Sequence, residues 1–142
     1  KYVPANKPEI KPYDEAEAVM CALLYKNPQC RVSLNASEVL SIFANEPAKE
    51  TALALITEDP ETIRNLWLLL EDGEKISLLS FGENIRARSP EISDAEIFIS
   101  AYKFLKLRSI KKLIAELNSM PLDEKGLQEL VRLYKQRELY SR

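Results

Sequence analysis

The 142-residue chain contains no histidine, only two cysteines and only three glycines. Without histidine it lacks the commonest general base near neutral pH, the commonest metal ligand and every Ser-His or Cys-His nucleophile pair. Cys21 and Cys30 are too few to cage a metal, and in a reducing compartment they read as two buried thiols. The glycines belong to no phosphate-cradling loop. No run approaches the roughly 18 consecutive apolar residues of a membrane span, and no charged-then-apolar leader opens the chain, so the expected compartment is the cytoplasm. Neither an active site, nor a metal, nor a cofactor is expected in this stretch, and its function should be binding.

What is present points to helix. Hydrophobic residues at 46% and charged residues at 30% are ordinary for a globular domain, while few glycines and heavy Leu, Ala, Glu and Lys usage favour an all-α fold. The opening KYVPANKPEIKP carries Pro4, Pro8 and Pro12 and cannot hold regular helix. Residues 1–12 therefore read as a linker, and the chain as a piece of a longer protein.

From Tyr13 the apolar spacing predicts a helix to Lys26, stopped by Asn27-Pro28, with Ala16, Val19, Met20, Leu23 and Leu24 inward. Asn35 and Glu38 form a capping box for a second helix, and Pro47 opens a third that runs to Thr57. Asp59-Pro60 starts a fourth, whose Ile63, Leu66, Trp67, Leu69 and Leu70 suit the centre of a core. Gly73 ends it, and residues 75–88 predict a shorter helix broken near Gly82. Acidic pairs such as Asp14-Glu15 and Asp123-Glu124 sit at helix starts, where the macrodipole favours them.

Ser93-x-x-Glu96 is a second capping box and opens the longest pattern, to about Asn118. Its apolar face is broad up to Leu105, then narrows to Leu107, Ile110, Ile114 and Leu117, a seam suited to one partner helix. That partner follows the turn Ser119-Met120-Pro121, with Leu127, Leu130, Val131 and Tyr134 as its matching seam. The architecture predicted is an N-terminal helical bundle over residues 13–104, joined by the long helix to a C-terminal antiparallel hairpin over 105–142.

Charge is divided unevenly. Residues 1–100 hold ten basic and seventeen acidic side chains; residues 101–142 hold ten basic and five acidic. Arg108, Lys111 and Lys112 project away from the Leu107 seam as a possible secondary basic surface for an acidic partner. At the chain end, a turn of about 100° per residue from Leu127 places Leu133 and Tyr140 near about 240° and 220°, and Leu139 near about 120°. Framed by Arg132, Lys135, Arg137 and Arg142, these three form, with Arg132, Lys135 and Arg137, the expected docking site for another protein.

AEAVMCALLYKNP, AYKFLKLRSIKKLIAELNS and DEKGLQELVRLYKQREL, in that order, resemble the C-terminal, helicase-binding domain of bacterial replicative primases of the DnaG type. The resemblance covers nearly the whole chain from Tyr13. It implies a bundle plus hairpin, with the hairpin docking on the N-terminal domains of the hexameric replicative helicase and recruiting primase to the fork for primer synthesis. Zinc binding and metal-dependent polymerisation would belong to preceding domains. Two other readings stand beside it: the N-terminal domain of the helicase itself, which is similar to the primase bundle, and a nucleic-acid-binding module using KFLKLRSIKK.

Overall fold

The computed structural model describes residues 14–57, Glu61 and 73–141, with the side chains of 73–77 excepted. Every regular element among them is helical: α1 Glu15–Lys26, α2 Pro28–Val32, α3 Ala36–Ile42, α4 Glu46–Thr57, α5 Gly73–Arg86, α6 Asp94–Asn118 and α7 Glu124–Tyr140. The linker, the end residue Arg142 and the Trp67 helix expected at the core's centre lie outside the described residues.

Side-chain caps set most of the boundaries. Asp14 accepts from the Glu17 N–H at 3.1 Å, Asn35 and Glu38 make the reciprocal box, and Asn45 accepts from the Ala48 N–H at 3.1 Å. Ser93 and Asp123 do the same for Glu96 and Gly126. Each satisfies an N–H that the first helical turn would otherwise leave orphaned.

Two departures from the sequence reading are local. Asn27-Pro28 ends α1 but also starts α2: the Asn27 side chain accepts from the Gln29 N–H at 2.9 Å, with proline in the first turn. Arg31 of α2 then donates to the carbonyls of Leu24 and Tyr25 at 2.8 and 3.0 Å, closing the end of α1. Gly73 begins rather than ends a helix, and α5 passes through Gly82 unbroken. Gly82 serves packing instead: a Cβ there would lie 2.1 Å from the Ala18 carbonyl oxygen. The missing side chain lets α5 rest on the backbone of α1 in the most extensive helix pair among the described elements.

α1 is the core's axis. Burial is unbroken from Glu17 to Leu24, because α4, α5 and α6 all pack around it. The main cluster gathers Met20, Leu23, Leu24, Ile42, Leu55, Leu78 and Leu105 among others. Cys21 and Cys30 are buried free thiols within it, and the Cys21 thiol donates to the Ala48 carbonyl at 3.4 Å. Burial raises both thiols above their ordinary pKa, the nearby Glu17 and Asp94 carboxylates adding to it, which leaves them as poor nucleophiles.

A second, smaller cluster comprises Ile110 and Ile114 of α6 with Leu133 of α7, flanked by Leu117, Leu130 and Tyr140. It corrects the face assigned to α7. Leu133 is 1% exposed, whereas Leu127 and Val131, expected to hold the seam, are each 53% exposed. The inward positions Gly126, Leu130, Leu133, Gln136 and Tyr140 follow a 4-3-3-4 spacing that carries one face along the whole helix. The Leu127 stripe ends in Glu138 after two turns, so burying it would leave the last turns without apolar contact. Leu133→Ala is expected to cost about 2–3 kcal/mol, the lower end of such truncations because so few groups surround the side chain. Hydrogen exchange should show α7 losing protection while α1 keeps it.

Candidate docking surface on the last helix

Asp123 starts α7, accepting from the Gly126 N–H at 2.7 Å. Its far end is held by Tyr140, whose ring meets Tyr102 of α6 edge-on at 6.3 Å between centroids and 63° between planes. Tyr102 donates to Glu38 of α3 at 2.5 Å. Burial first, then the hydrogen bond to Glu38 and its charge, and lastly Tyr140, push the Tyr102 hydroxyl above its ordinary range. A folded-state value raised above the unfolded one stabilises fully below the unfolded pKa of about 10 and is lost as pH climbs past it. Alkaline titration by phenolate absorbance should therefore show a late component that Tyr102→Phe lacks, together with a fall in stability above about pH 10 that is smaller in the variant.

With Leu133 and Tyr140 turned inward, the outward face of α7 is Leu127, Val131 and Tyr134. Leu127 and Tyr134 are seven residues apart, about 10 Å or two turns. Tyr134 is fixed on both sides. Its hydroxyl accepts from Asn118 Nδ2 at 3.3 Å, and the Arg137 guanidinium sits 4.7 Å from its ring centroid, a cation–π distance.

The other sequence-selected residues divide. Leu139 is 61% exposed, but the helical turn sets it about 120° from the Leu127 stripe, so it is an isolated apolar residue. Arg132 is paired with Glu129 one turn earlier. Lys135 is exposed. Leu133 and Tyr140 do not belong to a docking face, because their contacts hold α7 to α6. Sequence reasoning placed Leu127, Val131 and Tyr134 in the seam, whereas they are exposed; the signal available was the continuous Gly126-to-Tyr140 register beside them.

Arg108 also leaves the site expected for it. Instead of facing solvent, it donates to Asp14 Oδ2 at 2.9 Å, Glu17 Oε2 at 2.5 Å and the Ile42 carbonyl at 3.3 Å. Glu17 is fully buried and accepts two further bonds, from the N–H groups of Ala44 and Asn45 at 3.1 and 3.0 Å. One carboxylate thus caps the α3–α4 connection and anchors α6, with its acceptor capacity largely used. Next to it, the Ser109 hydroxyl donates to the Ser41 carbonyl at 2.8 Å. Lys111 and Lys112 remain exposed, but without Arg108 they form no concentrated footprint.

Among the described residues no group of three or more His, Cys, Asp or Glu side chains is placed to hold a metal, and no helix is long and apolar enough to cross a membrane. A shallow cavity of 260 Å³ between α2 and α6, lined by Cys30, Phe98, Ile99 and Tyr102, carries no charge. A second of 530 Å³ is lined by charges that are already engaged, Lys26 with Glu83 and Arg86 with Asp94. Neither brings together a base, a nucleophile and an oxyanion donor. No protein-family model matches the chain, nor does any curated protein or solved structure.

Proposed function

We propose that the chain is a non-catalytic interaction domain, the helicase-binding domain of a bacterial replicative primase. On this reading α1–α5 and the first half of α6 are the bundle, α6 and α7 the antiparallel hairpin, and the outward face of α7 docks on the N-terminal domains of the hexameric replicative helicase. Primase would thereby be brought to the fork in the cytoplasm for primer synthesis. Zinc and magnesium are assigned to other domains of the parent polymerase, and no cofactor to this one.

The reading is carried by one observation: α7 spends Leu133 and Tyr140 on its contact with α6 and still presents Leu127, Val131 and Tyr134 outward. A helix needed only for its own fold would place charge on that side. The order of helices agrees with the resemblance, from the AEAVMCALLYKNP start to the closing DEKGLQELVRLYKQREL. The basic-module alternative is weakened because its central arginine, Arg108, is consumed inside the fold. Calorimetric titration of the chain with the hexameric helicase tests the proposal. Saturable binding that Leu127→Ser/Val131→Ser removes is expected; unaltered binding by that variant overturns it.

A further inference from the structure

Resting on that docking reading, we propose that the occupant of the α7 face is an acidic amphipathic helix. Its apolar residues, spaced i, i+4 and i+7, would lie along Leu127, Val131 and Tyr134, and its carboxylates would meet Arg137 and Lys135.

The charges beside the stripe select this partner. Of the four cations on α7, Lys125 lies in the first turn, about 160° around the helix from Leu127, and Arg132 is already paired with Glu129, whereas Arg137 and Lys135 have no ion-pair partner among the described residues. Both lie in the last turns, next to Tyr134. Arg137 cannot be ignored by a ligand that covers Tyr134, because its guanidinium rests 4.7 Å from the ring centroid. Covering the ring takes that charge partly out of water. An uncharged or basic occupant would leave it desolvated and unpaired, a strongly unfavourable outcome, while a carboxylate satisfies it with a planar two-pronged hydrogen bond. The two-turn stripe sets the length of the helix seated on it, and the position of the cations sets its polarity: the acidic end faces the C-terminal turns of α7. Tyr134, held by Asn118 and Arg137 before binding, is a pre-organised aromatic anchor, which lowers the ordering cost of association. By contrast Lys103, Lys106, Lys111 and Lys112 on α6 point over more than about half a turn of the helical wheel and define no such edge.

The test is calorimetry and association kinetics of the 142-residue chain with the hexameric helicase, for wild type, Leu127→Ser/Val131→Ser and Lys135→Glu/Arg137→Glu. Charge reversal is expected to weaken binding about 10- to 100-fold, with slower association. Lys135→Gln/Arg137→Gln should flatten the salt dependence seen in wild type. If charge reversal leaves affinity and salt dependence unchanged while the apolar double variant is silent, the docking reading stands and the acidic helix is overturned. If the apolar double variant binds like wild type, both fall. Sedimentation of the chain alone covers the other occupant: dimerisation through Leu127 and Val131 would overturn the proposal in favour of a second copy. Circular dichroism matching wild type shows that each variant is folded.

Discussion

Arg108→Met is expected to lower the free energy of unfolding by about 3 kcal/mol, measured by urea denaturation at neutral pH. The methionine fills much of the space left by the arginine stem, so the loss is chiefly electrostatic. Glu17 stays buried with its two backbone donors but without its counter-charge, and a buried carboxylate stripped of its partner retains its desolvation cost in full. Because Arg108 is a third exposed, water reaches part of the gap and holds the penalty at the lower end of the range. Glu17→Gln in the same background should recover part of the loss, since the amide oxygen can still accept one backbone N–H and no charge is left behind. Arg108 lies between the two hydrophobic clusters, after Leu105 and before Ile110. Its removal should therefore also loosen α6 there, visible as faster hydrogen exchange at residues 105–110 than at Ile114.

Gly82→Ala is expected to cost about 3 kcal/mol despite the better helix propensity of alanine. The added Cβ would sit 2.1 Å from the Ala18 carbonyl oxygen and 2.7 Å from its carbon. These are backbone atoms of the central helix, so relief requires α1 and α5 to move apart and open the core. Overpacking of that kind outweighs the roughly 1 kcal/mol that alanine gains over glycine inside a helix. Gly126→Ala is the contrast: its nearest neighbour is the end of the Leu122 side chain at 3.0 Å, which can turn aside. That variant should stay within about 0.5 kcal/mol of wild type. Thermal melts of the two, side by side, distinguish a glycine needed for close approach from one that is merely present.

Helix identity was legible where a capping residue precedes an apolar period, as at Asn35, Ser93 and Asp123, because the cap is a local bond between residues two or three apart. The same logic applied to Asn27-Pro28 would have found α2, which sequence reasoning took only as a stop. Gly82 was read as a break because propensity is a local quantity, whereas its role depends on Ala18, more than sixty residues away in the chain. Arg108 was misread for a related reason. A solvated face is a plausible local explanation for it, and only the packing of α6 across α1 brings it to Glu17.

The candidate site was legible as an element but not as a face. α7 carries apolar residues on two sides, sharing Leu130, and their spacing alone does not say which side meets α6. What decides it is continuity: the Gly126, Leu130, Leu133 and Tyr140 line reaches Tyr102 at the far end, whereas the Leu127 line runs into Glu138. The expected docking pair Leu133 and Tyr140 therefore belongs to the fold, and of the residues assigned to the seam Leu127, Val131 and Tyr134 are left exposed.

The most direct measurement is an isothermal titration of the 142-residue chain into the hexameric replicative helicase, wild type against Leu127→Ser/Val131→Ser. The wild-type chain is expected to bind saturably, and the double variant, with its α1 core and α7 helicity intact, to lose about 30-fold or more in affinity. Absence of heat and of complex with the wild type, or equal affinity for both chains, would contradict the docking of this domain through the outward face of α7.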